Sequence, residues 1–353
     1  MIKENIKKLV NGADLTHEES VASMKEIMSG EATNTQIGAF LTALRMKGET
    51  SNEITAFTSV MKQYCNKISP TVKGRLVDTC GTGGDKIKTF NISTTAAFVV
   101  AGADVAVAKH GNRSVTSKCG SADVLEMLGL NLSIVPEDVE RAIEEVGVGF
   151  MFAPAFHPAM KYAIGPRREV GIRTVFNVLG PLTNPADANA QLLGVYDPRL
   201  TEPLANSLKS LGSEEAMVVH GLNGLDEIST IGKTRVSWLK EGNVTTREIA
   251  PEDFGIKPAK IEEIKGTTPE ESAEITFKIL YGCLDAADPK REIVQVNGAA
   301  AIIVAGKAED FGYGMEVAKE SIESGAAYRK LKELIKFSHG VLSKLEQLET
   351  EHA

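Results

Sequence analysis

From residue 75 onward the sequence alternates short apolar runs of strand length with longer runs that carry helical periodicity. This alternation is typical of a mainly parallel sheet flanked by helices. The run 232–249 has Gly242-Asn243 in its middle and predicts an antiparallel hairpin at one edge of that sheet. The predicted strands are 75–79, 104–109, 147–152, 191–196, 215–220 and 235–239, and the predicted helices include 121–128, 136–146 and 201–211. The chain after about residue 268 predicts further helices and a charged tail at 344–353, so residues 71–353 are expected to form one large α/β domain.

The first 70 residues carry helical signals only. In three places a threonine stands three residues before a glutamate or glutamine and just ahead of an apolar periodic run, which is the signature of a capping box. These pairs are Thr16 with Glu19, Thr33 with Gln36, and Thr50 with Glu53. We therefore expect residues 1–70 to form a small all-helical domain, with Pro70 at its boundary. The segment 155–190 does not fit the strand and helix alternation, and we expect part of it to cross back and complete the helical domain.

Three polar loops follow predicted strands, and the carboxyl ends of parallel strands share the edge of a sheet where ligands bind. The first loop, 81–85, has glycine at three of four consecutive positions and is followed by Asn-Ile-Ser-Thr at 91–94, where a helix is expected to start. Glycine lets backbone N–H groups converge on an anion, and a helix start adds free N–H groups and a favourable dipole. The pattern predicts a seat for phosphate or pyrophosphate, although a strand-to-helix turn can also need glycine for purely conformational reasons.

The second loop, 108–114, is cationic and follows the apolar run 105–107. Lys109 is placed to meet a phosphate as a point charge, although a lysine at a strand end is more often a surface residue. His110 is either a base or a histidine whose hydrogen bonds are satisfied within the loop. Arg113 is either a phosphate ligand or a structural residue.

The third loop contains the adjacent carboxylates Asp226 and Glu227, behind the apolar run 217–221. Two carboxylates beside a phosphate-binding loop commonly hold Mg²⁺, which prefers oxygen ligands and is often shared with substrate phosphates. The alternative is a solvated acidic turn. Convergence with the other two loops favours the metal site.

Three arginines, Arg167, Arg168 and Arg173, fall within seven residues. The guanidinium fork is well suited to a substrate carboxylate. For Arg168 we prefer the alternative, a solvated helix face beside Glu169. His157 is expected to lie over the same region.

Composition narrows the class of protein. The net charge of -8 argues against general nucleic-acid binding, which usually needs a basic face. No secretory signal is apparent, and the longest apolar stretches are too short to span a membrane. The four cysteines are scattered without a Cys-x-x-Cys pair, which fits a reduced compartment. We therefore expect a cytoplasmic protein that binds neither membrane nor nucleic acid.

Taken together, the motifs of this chain closely resemble those of the anthranilate phosphoribosyltransferase family. The matching segments are 78–85, 91–94, 109–113, 120–126, 152–154, 157–161, 171–174, 177–185 and 224–227. Their order and spacing cover nearly the whole chain, and the set is highly specific. Two positions depart from the family pattern: Thr116 stands where a serine is expected, and Asn297-Gly298-Ala299 inverts an Asn-Ala-Gly order.

The resemblance implies a nucleoside phosphorylase/phosphoribosyltransferase-like fold, in which a helical N-terminal domain lies beside an α/β domain and forms a homodimer. It implies a step of tryptophan biosynthesis, in which the amine of anthranilate attacks C1 of phosphoribosyl pyrophosphate (PRPP). The products are N-(5-phosphoribosyl)anthranilate and pyrophosphate, and the reaction requires Mg²⁺, with two ions per subunit.

The resemblance also implies roles for particular residues. For PRPP they are Gly81, Gly83, Gly84, Asp85, Thr89, Asn91, Ser93, Thr94, Lys109 and Ser121, for anthranilate Gly81, His110, Asn112, Arg167 and Gly180, and for the metal Ser93, Asp226 and Glu227. The aromatic amine is already neutral at physiological pH, so no dedicated general base is expected. Catalysis would rest on positioning and on stabilisation of the leaving group by Lys109 and the metal.

Two other classes of protein share this fold. A pyrimidine nucleoside phosphorylase also works at a ribose C1, but its glycine loop typically reads Lys-His-Ser-Thr-Gly-Gly-Val-Gly-Asp, and here Asp78-Thr79-Cys80 replaces the first three residues. A non-enzymatic, nucleic-acid-binding relative should lose the metal carboxylates and gain a basic patch. This chain retains Asp226 and Glu227 and is acidic, which ranks that alternative last.

Overall fold

A computed structural model of the chain describes residues 1–114, 119–266 and 268–352, so that Thr116 lies outside the described residues. Across these ranges the chain forms sixteen α-helices, seven strands and four short 3-10 helices. The helices are α1 Ile2–Val10, α2 His17–Ser29, α3 Asn34–Lys47, α4 Ser51–Gln63, α5 Ile92–Gly102, α6 Ser121–Met127, α7 Pro136–Glu145, α8 Ala153–Phe156, α9 Lys161–Val170, α10 Phe176–Leu182, α11 Thr201–Ser210, α12 Pro269–Tyr281, α13 Pro289–Val304, α14 Phe311–Glu323, α15 Ala326–Phe337 and α16 Ser343–His352. The strands are β1 Leu76–Gly81, β2 Ala106–Gly111, β3 Val148–Phe152, β4 Ala190–Gly194, β5 Glu215–Gly221, β6 Thr234–Lys240 and β7 Asn243–Ile249.

The strands of the described chain form one sheet in the order β3-β2-β1-β4-β5-β6-β7. The first five strands of the sequence run parallel, and β6 and β7 form an antiparallel hairpin at the edge. The predicted α/β class and the edge hairpin are therefore confirmed. Strand β2 begins two residues later than predicted, because Asp104 adopts a left-handed φ of 57° in the turn after α5 and cannot belong to a strand.

Helices α1–α4 form the N-terminal bundle, and all three predicted capping boxes are present at the starts of α2, α3 and α4. Helix α1 was not predicted as a separate capped helix, because its N-cap is Met1, whose side chain accepts no capping hydrogen bond. From the middle of the chain, α9 packs on the bundle. The Tyr162 ring lies against Gly30, where an added Cβ would come within 2.6 Å of it, and the Val170 side chain lies beside Gly38.

Two large hydrophobic clusters stabilise the fold. One lies between one face of the sheet and the C-terminal helices, with the almost fully buried α5 and α13 at its centre. The other is shared between the N-terminal bundle, α10, α11 and side chains of β4 and β5. The predicted charged tail is helix α16, which is anchored by the fully buried Leu345.

None of the helices in the described ranges is both long and apolar enough to cross a bilayer.

Candidate active site

The three loops singled out in the sequence converge at the carboxyl edge of the parallel strands. The glycine loop leaves β1, the cationic loop leaves β2, and the acidic turn follows β5. Strand β4 lies between β1 and β5, with Gly81 in register with Gly194. The sheet order therefore places residues that are far apart in the sequence around one point.

The glycine loop is held in a tight turn by its own aspartate. Gly83 and Gly84 have φ values of 70° and 95°, a region that favours glycine. The Asp85 carboxylate accepts hydrogen bonds from the Thr89 backbone N–H at 2.9 Å and from the Thr89 hydroxyl at 3.0 Å. Asp85 and Thr89 thus set the shape of the loop before any ligand binds.

Helix α5 follows the glycine loop, and its first turn contacts the acidic turn. The Ser93 N–H donates to Glu227 Oε1 at 3.2 Å, across 134 residues of sequence. Thr94 is 1% exposed, and among the described residues its hydroxyl has no hydrogen-bond partner. An orphaned buried hydroxyl at a helix N-terminus is suited to an anionic ligand.

Asn91 is the N-cap residue of α5, but its side chain makes no capping hydrogen bond. Its Oδ1 instead accepts from the Ser272 hydroxyl at 2.8 Å and from Cys119 Sγ at 3.2 Å. The Asn91 N–H in turn donates to the Ser272 hydroxyl at 3.0 Å. Helix α12, which carries Ser272, therefore fixes the start of α5.

The acidic turn lies directly against the ends of β1 and β4. A Cβ added to Gly194 would lie 1.6 Å from the Asp226 carbonyl oxygen, and one added to Gly81 would lie 2.9 Å from Asp226 Oδ2. Both strand ends therefore need glycine because the acidic turn occupies the space of a side chain. The sequence pattern had explained only the glycine of the first loop.

The two carboxylates of the turn are poorly compensated. Burial and the nearby Asp85 raise the pKa of Asp226 to about 6, and burial and Asp226 raise the pKa of Glu227 well above its usual range. Within the described residues no cluster of three or more His, Cys, Asp or Glu side chains could hold a metal by itself. The pair therefore suits a cation that brings further oxygen ligands from a substrate, which is how Mg²⁺ is usually bound.

Lys109 lies inside the site rather than on the surface. It is 3% exposed, and its ammonium group donates to the Thr79 carbonyl oxygen. Burial lowers the pKa of Lys109, while the charges of Asp78 and Glu227 oppose that change. The surface-lysine alternative is therefore wrong.

Asp78 was not predicted as a functional residue, yet it organises this part of the site. It is completely buried, and its carboxylate accepts from Asn184 Nδ2 at 2.8 Å and from the His110 N–H at 3.2 Å. Asn184 Nδ2 also donates to the Ala108 carbonyl at 2.9 Å. This network ties β1, β2 and the segment after α10 together, and the charge of Asp78 acts on Lys109.

His110 and His157 form a buried pair with ring centroids 5.0 Å apart. His110 Nδ1 contacts the Gly180 carbonyl oxygen at 3.2 Å, and both Nε2 atoms have no partner within the described ranges. Burial, together with the second imidazole, lowers the pKa of His110 to about 3, and burial lowers that of His157 to about 4. Both rings are therefore neutral at physiological pH and offer hydrogen bonds rather than charge.

The arginines divide into different environments. Arg113 is ion-paired with Asp123 at 3.0 Å and with Glu126 at 2.7 Å, which favours its structural alternative. The Arg167 guanidinium lies over the Phe176 ring at 5.2 Å, and burial lowers its pKa. Arg168 is exposed, as expected.

The predicted anthranilate-site residues are only partly joined by direct contacts. His110 and Gly180 are hydrogen-bonded, and Arg167 reaches the same helix, α10, through Phe176. Asn112 is exposed, and its carbonyl oxygen accepts from the Ser121 hydroxyl at 3.3 Å. In the described chain no hydrogen bond joins Arg167 to the other four.

Asn297, on helix α13, fixes the chain directly after Glu227. It is fully buried, and its amide accepts from the Ile228 N–H at 3.0 Å and donates to the Ile228 carbonyl at 3.1 Å. A third hydrogen bond, to the Ile293 carbonyl at 2.8 Å, ties the amide to its own helix. The Asn-Gly-Ala order was noted in the sequence, but nothing in the local pattern indicated this contact.

The chain matches two family models along most of its length. Residues 3–65 match the helical bundle domain of a glycosyl transferase family, and residues 73–328 match the a/b domain of that family. Among curated proteins, the anthranilate phosphoribosyltransferase of Desulfatibacillum aliphaticivorans is 55% identical, covering 96% of this chain and 99% of the relative.

Solved structures agree with the sequence matches. The crystal structure of anthranilate phosphoribosyltransferase from Thermus thermophilus superposes with a TM-score of 0.88 at 40% identity, covering 95% of this chain and 99% of that one. The Saccharomyces cerevisiae enzyme, in complex with PRPP and Mg, has a TM-score of 0.87 at 29% identity, covering 96% and 98%.

Proposed function

This chain belongs to the anthranilate phosphoribosyltransferase family, and we propose from its site that it transfers the 5-phosphoribosyl group of PRPP to the amine of anthranilate. The products are N-(5-phosphoribosyl)anthranilate and pyrophosphate, in tryptophan biosynthesis. One observation carries the assignment: an anion-binding loop, a buried lysine and a carboxylate pair meet at one edge of the sheet. A highly charged leaving group and its metal need these three components together.

Departure of pyrophosphate from C1 leaves positive character on the sugar and negative charge on the leaving group. We infer that the backbone N–H groups of the glycine loop, the start of α5 and Lys109, which hydrogen bonds to the protein hold in place, stabilise that negative charge. Mg²⁺, which the yeast relative binds with PRPP, supplies positive charge that neutralises the phosphate oxygens. Asp226, Glu227 and Ser93 would hold it, and we propose two ions per subunit.

The other residues proposed to contact PRPP lie in the glycine loop and at the starts of two helices. Gly81, Gly83 and Gly84 allow close approach to the main chain, and Asp85 with Thr89 fixes the turn. Thr94 offers its unpartnered hydroxyl to phosphate. Asn91 and Ser121 complete the proposed set from the two helix starts.

Anthranilate would bind on the side of the loop that faces α10. Arg167 provides a guanidinium for the carboxylate, and Asn112, Gly81 and Gly180 line the aromatic ring and amine. His110 is neutral, so it orients the substrate through a hydrogen bond instead of acting as an acid. Because the attacking amine is also neutral, positioning by these groups replaces general-base catalysis.

We also propose a homodimer formed through the helical bundle, with part of 155–190 completing that domain. Several large apolar side chains of the bundle and of α9 are exposed, among them Met46 at 83%, Val10 at 70% and Ile164 at 49%. A second copy of the chain would cover them. The four cysteines are scattered without a Cys-x-x-Cys pair, which supports a reduced, cytoplasmic location.

The test is the loss of anthranilate fluorescence on mixing the protein with PRPP, with and without Mg²⁺. We expect a loss only when all components are present. The Asp226→Asn/Glu227→Gln double variant should lose roughly 100-fold in Mg²⁺-dependent turnover. The exposed adjacent pair Glu262→Gln/Glu263→Gln is the matched control and should keep wild-type turnover. No loss of fluorescence by folded wild-type protein, or phosphorolysis of a pyrimidine nucleoside instead, would overturn the assignment.

A further inference from the structure

Arg173 occupies the space that a side chain on the glycine loop would need. It lies between α9 and α10, in the stretch that returns from the helical bundle to the sheet. A Cβ added to Gly84 would be 1.7 Å from Arg173 Nη2 and 2.4 Å from its Cζ. Position 84 therefore requires glycine for two reasons. Its φ of 95° favours glycine, and the Arg173 guanidinium occupies the space that a Cβ would fill.

Tyr196 holds the guanidinium in this position. The Arg173 Cζ lies 4.4 Å from the centroid of the Tyr196 ring, a cation–π contact, and Nη2 donates to the Gly84 carbonyl at 3.4 Å. The Tyr196 N–H donates to the Thr82 hydroxyl at 3.1 Å, which fixes the ring relative to the loop. Arginine, tyrosine and loop therefore form one preorganised unit.

Within the described residues Arg173 has no carboxylate within 4.0 Å of its guanidinium nitrogens, although its charge opposes the rise in the pKa of Asp226. The one hydrogen bond from these nitrogens in that part of the chain is the long contact to the Gly84 carbonyl. Arg113 shows the contrast, because two carboxylates neutralise it. Arg173 therefore retains several donors at the mouth of an anion-binding loop, and the guanidinium fork matches phosphate oxygens.

We propose that Arg173 binds the pyrophosphate group of the phosphoribosyl donor, as a second cation opposite Lys109. The inference rests on the proposed function and extends it by one ligand-binding residue. This residue lies between α9 and α10, outside the three loops that follow the strands. Loop N–H groups and Lys109 would meet the anion from the sheet side, and Arg173 would meet it from the side of Gly84.

Calorimetric titration of Mg²⁺-pyrophosphate into wild type and into Arg173→Gln tests this directly. Loss of a charge-assisted contact should weaken binding by about tenfold or more. The plot of affinity against ionic strength should also become shallower, because one ion contact is lost. Arg168→Gln, an exposed arginine in the same segment, is the matched control and should bind like wild type. The KM for anthranilate should be unchanged in both variants.

Two results would overturn the proposal. One is unchanged pyrophosphate affinity in Arg173→Gln. The other is weaker affinity with an unchanged dependence on ionic strength, since that would mean that the arginine only orders the loop. If the glutamine variant unfolds, Arg173→Lys carries the test: it should keep the salt dependence and bind about threefold or more weakly through loss of the fork, and wild-type affinity would contradict the contact. Failure of the proposed function is distinguishable, because wild type itself would then neither bind pyrophosphate nor consume anthranilate.

Discussion

The N-terminal bundle depends on contacts between residues close in the sequence, whereas the carboxyl edge of the sheet depends on contacts between distant residues. We call this edge, where the three loops of the candidate active site meet, the catalytic edge. In the bundle, the starts of α2, α3 and α4 are each fixed by a reciprocal contact between residues three positions apart. At the catalytic edge, the contacts that define the site join residues separated by 134 positions, as in Ser93 with Glu227, or by 106, as in Asp78 with Asn184. Loss of a single exposed capping contact in the bundle should therefore lower stability by a small amount, whereas displacement of one group at the carboxyl edge of the sheet can greatly reduce activity.

The largest effect is expected from Gly194→Ala, which tests whether activity depends on the long-range contacts at the edge of the sheet. The added methyl group would overlap the Asp226 carbonyl oxygen, so the acidic turn must move. A displacement of about 1 Å at a catalytic site can cost about 100-fold in rate, and we expect at least that loss in the fluorescence assay. Gly165→Ala, where the structure offers open space, should retain wild-type activity. An active Gly194→Ala enzyme would show that the turn is not held at this distance.

The second effect is expected from Glu53→Ala, in the bundle but at a buried ion pair. Glu53 is fully buried, binds Lys47 at 2.9 Å, and accepts from the Leu15 N–H at 3.0 Å. Removing Glu53 leaves the buried Lys47 paired with Asp14 alone and leaves the buried Leu15 N–H without its acceptor, so we expect the free energy of unfolding in urea to fall by about 3 kcal/mol. Activity per folded molecule should not change. Glu31→Ala, at an exposed position of the bundle, should stay within about 0.5 kcal/mol of wild type.

A smaller effect is expected from Asn297→Ala, which separates positioning from binding at the catalytic edge. Without the amide, the Ile228 backbone loses two hydrogen bonds and Glu227 loses its anchor. Residues that orient metal ligands typically contribute about 10- to 100-fold, so the Mg²⁺ concentration for half-maximal activity should rise about tenfold. Ser321→Ala, which removes the buried hydrogen bond from Ser321 to the Val99 carbonyl, is the control. If the Mg²⁺ concentration for half-maximal activity rose equally in both variants, the effect of Asn297→Ala would be general destabilisation and not a displaced metal site.

The smallest effect is expected from Thr33→Ala, at the exposed capping box of α3. The Gln36 N–H would lose its acceptor at 3.3 Å, which usually costs about 1 kcal/mol. Thermal unfolding should show this loss with unchanged kinetics. Thr35→Ala, two positions along the same helix start, should not destabilise the protein. A loss of activity in Thr33→Ala would mean that bundle and site are coupled more tightly than their contacts indicate.

The sequence predicted most of the fold because its signals are local. Capping boxes, the Gly242-Asn243 turn and the alternation after residue 75 each act within a few residues, and each corresponds to an element of the structure. Helix α1 was missed for the same reason, since Met1 gives no capping signal. The start of β2 was predicted two residues too early, because the left-handed turn at Asp104 has no strong local signature.

The parts of the site that lie directly after a strand could be predicted from the sequence. The glycine loop, Lys109 and the acidic pair were located because each follows an apolar run. Asp78 and Asn297 were not indicated as site residues by the local pattern, and Arg173 was indicated only as one of three arginines suited to a substrate carboxylate. The partners of all three lie on other elements, so their importance depends on distances. Their motifs resembled the family, but only the packing showed what each side chain touches.

The hydrophobic cluster shared by the bundle, α10, α11 and the sheet has a consequence for how the chain can be divided. A fragment ending near residue 70 would carry the bundle helices but expose the apolar face that normally meets β4, β5 and α11. The remainder would expose the complementary surface. We therefore expect that neither piece folds by itself and that heating produces one calorimetric transition, in which the bundle and the carboxyl edge of the sheet melt together. The two regions differ in how their structures are encoded, yet they should share one heat-capacity change and unfold as a single cooperative unit.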